Sequence, residues 1–194
     1  ANVQNKHSAP GICTLSGDSL LKLWRATGNS LYLDLIQEIA HNLPQYLSRK
    51  DRQVGNPERM KPGYMCERVN FSDWEEKHNI GDSLFGSCWC EVSLMLTAAE
   101  IPGLYVQPDT GFFKVFDHID AIEVARTKNS VDLLLSNPTK FDATVKVLIE
   151  SSRNARTRPL GANFLFGAPT ITIPTGASVT ARFTLNPIGI LRPL

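Results

Sequence analysis

The chain has 194 residues and a formal net charge of +1 at pH 7, with 42% hydrophobic and 20% charged residues. This is enough apolar material for one core or two small ones, while the near-neutral balance gives no electrostatic case for nucleic acid or an anionic membrane as partner. No apolar run reaches the roughly 18 residues of a bilayer span.

No internal repeat stands out. The polar start, Ala1 to Ser8, lacks the apolar stretch of a secretion signal and reads as a cut inside a longer protein. Ile12 to Thr27 carries Leu15, Leu20, Leu23 and Trp24 at near-helical spacing, and Gly28-Asn29 is a stop signal. Ser30 is placed to cap a second helix. Its stripe is Tyr32, Leu35, Ile36, Ile39, Ala40, Leu43 and Leu47. Pro44 removes a backbone donor, so this helix should bend or loosen there.

Residues 49–81 hold Pro57, Pro62, Gly55, Gly63 and Gly81 among many charges, and no period survives. A loop of that length in a compact domain tends to be functional or disordered, and Tyr64, Phe71 and Trp74 argue against plain disorder. A third helix is predicted from Ser83 to Glu100, with Leu84, Cys88, Val92, Met95, Leu96 and Ala99 as its apolar face. Pro102-Gly103 ends it.

From about Asp117 the period switches to two. Ile122 and Val124 alternate with polar or small neighbours, as do Val131, Leu133 and Leu135, then Val145, Val147 and Ile149. Ile171 and Ile173 follow, and Val179, Ala181, Phe183 and Leu185 come after the Pro174-Thr175-Gly176 turn. Short alternating strands between turns predict an antiparallel β-sandwich, with Phe183 buried and Arg182 outward. The class is therefore α+β, with a helical region over 1–117 and a sandwich over 118–194.

Leu21 to Ile36, reading LKLWRATGNSLYLDLI, resembles the repeating helical hairpin of α/α-toroid carbohydrate-active enzymes, glycoside hydrolases or polysaccharide lyases. Trp89-Cys90-Glu91, the segment from Ile101 to Asp109 and the terminal sandwich are similar to such enzymes too. The resemblance implies the last hairpins of an incomplete toroid followed by its trailing sandwich. It also implies a glycan substrate, a larger parent polypeptide, and a periplasmic or extracellular setting. About three helices precede the strands, where a whole toroid needs about a dozen, so the isolated chain should show little activity.

The chemistry-bearing side chains concentrate in the loop and the start of the third helix. Glu67, Arg68, Asp73, Glu75, Glu76, His78, Asp82 and Glu91 fall within twenty-five residues, interleaved with Trp74 and Trp89 and preceded by Tyr64. Glycoside hydrolysis typically uses two carboxyl groups, one protonating the leaving oxygen and one activating water or attacking. Glu67 and Glu91 are the candidate catalytic pair, because each sits beside a Cys and an Arg or aromatic residue. Tyr64, Arg68, Asp73, Trp74 and Trp89 are the candidate substrate contacts: aromatic faces suit sugar C–H faces, and charged groups suit hydroxyls. A solvated loop anchored by one Trp is the plainer reading of Asp73-Trp74-Glu75-Glu76.

Cys66, Cys88 and Cys90 with His78 or a carboxylate would give four zinc ligands. Cys-x-Cys is not a knuckle spacing, however, and helical positions two apart point about 200° away from each other. The adjacent Cys-Cys pair of one zinc-dependent arabinofuranosidase family is also missing. Buried thiols, no metal and no cofactor are expected. Trp24 and His41 read as structural, and His118 as a residue orienting the junction between helices and sandwich. Three stripes of apolar helix faces predict self-association, most simply a homodimer. The competing readings are a non-catalytic carbohydrate-binding or structural module and a cysteine-bound metal protein.

Overall fold

A computed structural model describes residues 7–8, 17–55, 59–70, 80, 82–86, 88–185 and 192–193. The protein is α+β and divides into two compact units. The first gathers Ala1–Gly17 and Asn42–Ala98, the second Asp18–His41 and Ala99–Leu194.

In the first unit a three-stranded antiparallel sheet runs β1 (His7–Ser8), β2 (Cys66–Asn70), β3 (Ser83–Gly86). Two expectations change here. The predicted loop 49–81 contains β2, and the predicted third helix begins as strand β3 before the chain turns into α3 (Cys88–Glu100). The period was invisible because β2 is five residues long and carries Glu67, Arg68 and Asn70, with both of its ends buried. Leu84 and Phe85 of β3 suit either element by composition. Ahead of β2, the chain wraps around the buried Ser48. Its hydroxyl donates to the Met60 carbonyl (2.7 Å), its N–H donates to the Tyr64 carbonyl (2.7 Å), and its carbonyl accepts from Gly63 N–H (2.8 Å).

The second unit opens with a helical hairpin, α1 (Gly17–Thr27) and α2 (Leu31–Asn42). Residues 12–16 of the predicted first helix lie outside the described residues. The stop falls where the sequence placed it: Gly28 takes φ +80°, and its N–H donates to the Trp24 carbonyl (2.7 Å). Asn29, rather than Ser30, supplies the side-chain acceptor at the start of α2, for Leu31 N–H (3.1 Å). At Pro44 the helix gives way to a 3₁₀ turn over Leu43–Tyr46, the loosening that a missing donor imposes.

Two four-stranded sheets complete this unit. One has the order β11 (Arg192–Pro193), β10 (Ser178–Thr184), β7 (Ser130–Ser136), β6 (Asp120–Arg126), all antiparallel. The other has the order β5 (Phe112–Val115), β4 (Leu104–Gln107), β8 (Ala143–Ile149), β9 (Thr170–Ile173). The strands therefore begin at Leu104, ahead of the period-two signal. The β4–β8 pair is parallel, a correction to the all-antiparallel expectation. β4 enters this sheet before the β6–β7 hairpin is made in the other one, and β8 returns beside it by crossover.

The sheets share one core: Leu104, Val106, Val145, Val147 and Ile173 from one, Val131, Leu133, Leu135, Ala181 and Phe183 from the other. Phe183 is buried and Arg182 points outward, bidentate to Asp132 across the strands (2.7 and 2.7 Å). β6 departs from its predicted facing. Ile122 and Val124 are exposed, Ala121 packs on the core, and the register slips between Glu123 and Ala125.

A second core forms on the outer face of the β5–β4–β8–β9 sheet. Alternation sends Leu104 and Val106 inward and Tyr105 and Gln107 outward. Tyr105 and Phe116 meet Leu20, Leu21, Trp24, Leu33 and Ile36 of the hairpin. A short helix unseen in the sequence, α4 (Ser152–Thr157), is capped by the Ser151 hydroxyl accepting from Asn154 N–H.

Candidate functional site

Glu91 lies in the first turn of α3 and is half-buried. Its Oε1 accepts from the Met65 N–H at 2.8 Å, which brings the carboxylate to the entrance of β2. Its Oε2 is buried with no hydrogen-bond partner among the described residues. A buried acceptor left unmade costs about 1–3 kcal/mol, so this oxygen is a place where an incoming donor gains more than it would at a solvated carboxylate.

The same strand entrance carries the other candidates that the structure describes. Tyr64 precedes Met65 and is 50% exposed. Glu67 is half-buried and forms an ion pair with its neighbour Arg68 (3.5 Å), whose guanidinium is largely in solvent. Glu91 thus meets the chain at Met65, two residues before Glu67, the second candidate carboxylate. Asp73 and Trp74 lie outside the described residues, as does His78. Trp89, Cys88 and Cys90 are in the α3 backbone, but their side chains are likewise outside the description. Cys66 is a buried thiol, and among the described residues no group of three His, Cys, Asp or Glu side chains is arranged to hold a metal ion. No helix among them is long and apolar enough to cross a membrane.

The second unit contains a polar network that has no local signature in the sequence. Arg25 donates through Nε and Nη2 to the two Glu150 oxygens (2.9 and 2.8 Å), and Nη2 also reaches the Asn154 carbonyl (3.2 Å). The Tyr105 hydroxyl donates to Glu150 Oε1 (2.8 Å) and accepts from Gln107 Nε2 (2.7 Å). Burial, then the charge of Glu150, raises the Tyr105 pKa well above the ordinary phenol range, so it stays a donor. Trp24 meets Tyr105 edge-on at 4.9 Å and stacks with Phe112 at 5.6 Å, which makes it structural, as expected. This network fastens the hairpin to the sheet.

His41 and His118 stack at 4.7 Å, and His41 Nε2 lies 3.1 Å from the Asp117 carbonyl. Burial and the neighbouring His41 lower the His118 pKa below 6.5, against the opposing pull of Asp117. The unfolded chain therefore binds more protons than the folded one just below pH 6.5, and stability falls as pH drops through that window. We expect the urea midpoint of the wild type to decline more between pH 7.5 and 5 than that of His118→Gln. Equal declines would show that the stacked pair has no part in the acid sensitivity.

No family model, curated protein or solved structure matches this chain.

Proposed function

We propose that this chain is the C-terminal portion of a carbohydrate-active enzyme, most simply one that hydrolyses a glycosidic bond. The observation that carries the reading is the Glu91 carboxylate, pinned on one oxygen by the Met65 amide and unmatched on the other among the described residues. A sugar hydroxyl or leaving-group oxygen is the kind of donor or proton acceptor that such an oxygen suits. Glu67 supplies the second carboxyl group of the pair. Tyr64 offers an aromatic face to a sugar ring, and Arg68 a guanidinium to its hydroxyls. Asp73, Trp74 and Trp89 complete the proposed substrate contacts.

The finer fold belongs to the same proposal, with the α1–α2 hairpin as one hairpin of an α/α-toroid. Apolar side chains left in solvent support it. Leu23, Leu31 and Leu35 of the hairpin are exposed, as are Val92, Met95 and Leu96 of α3, at 53%, 70% and 47%. Positions 92, 95 and 96 fall on one helical face. Further toroid helices, or a second copy of the chain in a homodimer, would cover such surfaces. Light scattering at micromolar concentration separates monomer from dimer.

Two measurements test the function. The isolated chain should turn over plant and host oligosaccharides poorly, because part of the frame that holds two carboxylates at a set separation lies elsewhere; ordinary enzymatic rates would overturn the fragment reading. In calorimetry against the same oligosaccharides, Glu91→Gln keeps the acceptor for Met65 N–H but removes the charge. We expect it to weaken binding roughly tenfold or more. Absence of saturable binding, or equal binding by the variant, would refute the glycan site.

A further inference from the structure

The second unit carries an open groove of about 320 Å³ between α1 and the end of α4 with the segment that follows. Its lining includes Lys22, Arg25, Arg156 and Arg158 and, among the described residues, no carboxylate. Lys22 and Arg25 lie three residues apart on α1 and so face the same side. Two of the four cations have carboxylate partners outside the lining: Lys22 with Asp18 (2.6 Å) and Arg25 with Glu150 (2.8 Å). Arg156 and Arg158 have no carboxylate partner among the described residues, so the groove keeps an excess of about two positive charges.

Arg156 is also held in place before any ligand arrives. Its Nη1 donates to the Trp24 and Arg25 carbonyls (2.6 and 2.8 Å) at the C-terminal end of α1, and its guanidinium lies over the Trp24 ring at 5.3 Å. A side-chain carbon at Gly28 would come within 3.2 Å of Nη2, so the glycine leaves that edge of the guanidinium clear. Nε and Nη2 make no hydrogen bond among the described residues, and neither does the Arg158 side chain. A planar guanidinium fixed on one edge with donors left on another is suited to binding an oxyanion, at less entropic cost than a mobile lysine.

We infer that this groove binds the oxyanion of a small ligand: a carboxylate, sulfate or phosphate group. Arg156 and Arg158 donate to it, with Lys22 adding longer-range attraction. The site uses other residues than Glu91 and lies in the other unit, so it stands or falls separately from the glycan reading.

The test is calorimetric titration of the full chain with sodium sulfate, sodium phosphate and sodium glucuronate. Ionic strength is held constant with chloride, and glucose serves as the neutral control. We expect saturable binding of at least one anion and none of glucose, with affinity reduced about tenfold in Arg158→Ala. Arg156→Ala removes the fastening of α1 and can unfold the unit. Arg158→Ala and Lys22→Ala, both at exposed positions, keep the test decisive. Tighter binding of glucuronate than of the inorganic anions supports the site with an acidic saccharide as ligand; the reverse supports it with a sulfate or phosphate ester. If no anion saturates, or both exposed variants bind like the wild type, the inference is wrong.

Discussion

Replacing Glu150 with Ala should destabilise the second unit by about 3–5 kcal/mol, the usual cost of leaving one member of a buried ion pair alone. The Arg25 and Glu150 side chains are only 5% and 10% exposed. Removing the carboxylate strands the guanidinium and takes the acceptor from the Tyr105 hydroxyl as well. The double variant Arg25→Met/Glu150→Leu should be far less affected than Glu150→Ala, because a buried pair exchanged for apolar residues of similar volume is often neutral. Urea denaturation monitored by Trp fluorescence measures both. A loss below about 0.5 kcal/mol for Glu150→Ala would mean that water screens the pair as it does at a surface.

Phe183→Ala should cost a comparable amount, about 3–5 kcal/mol, because it empties part of the core shared by the two sheets. Phe183 is fully buried and pairs in register with Val131. Ile122→Thr makes the informative contrast. On β6 that isoleucine is exposed, so its loss should stay within about 0.5 kcal/mol. Denaturation midpoints of the two variants distinguish the observed facing of β6 from the one that alternation alone suggests; a large cost at Ile122 would contradict it.

That contrast also marks where the sequence could be read. Strands β7 and β10 turn alternate residues to the core with mostly polar residues between them, so Val131, Leu133 and Leu135, or Ala181 and Phe183, repeat every second residue. Ile122 and Val124 mislead because β6 is an edge strand with a slipped register whose inward residue is the small Ala121. β4 was hidden for the opposite reason. All four of its residues are buried, between the sandwich core and the hairpin, so no polar alternation marks it. The helix stop at Gly28 and the break at Pro44 follow from local backbone chemistry and were legible. At the candidate site, Glu67 and Glu91 could be picked out as carboxylates, but the bond from Met65 N–H to Glu91 spans 26 residues and has no local signature. The four basic side chains of the groove have no common signature in the sequence until α4, itself unpredicted, and the segment after it bring Arg156 and Arg158 opposite Lys22 and Arg25.

The tie between Arg25 and Glu150 spans 125 residues, and a ribosome delivers its two ends at different times. At synthesis rates of about 5–20 residues per second, Arg25 waits roughly 6–25 s for its carboxylate to be made. Trp24 waits about two thirds as long for Tyr105. Throughout that interval the nascent hairpin presents an aromatic and aliphatic surface with nothing to close it. Helper proteins that recognise greasy segments on growing chains would have their best opportunity at α1, well before the sandwich exists.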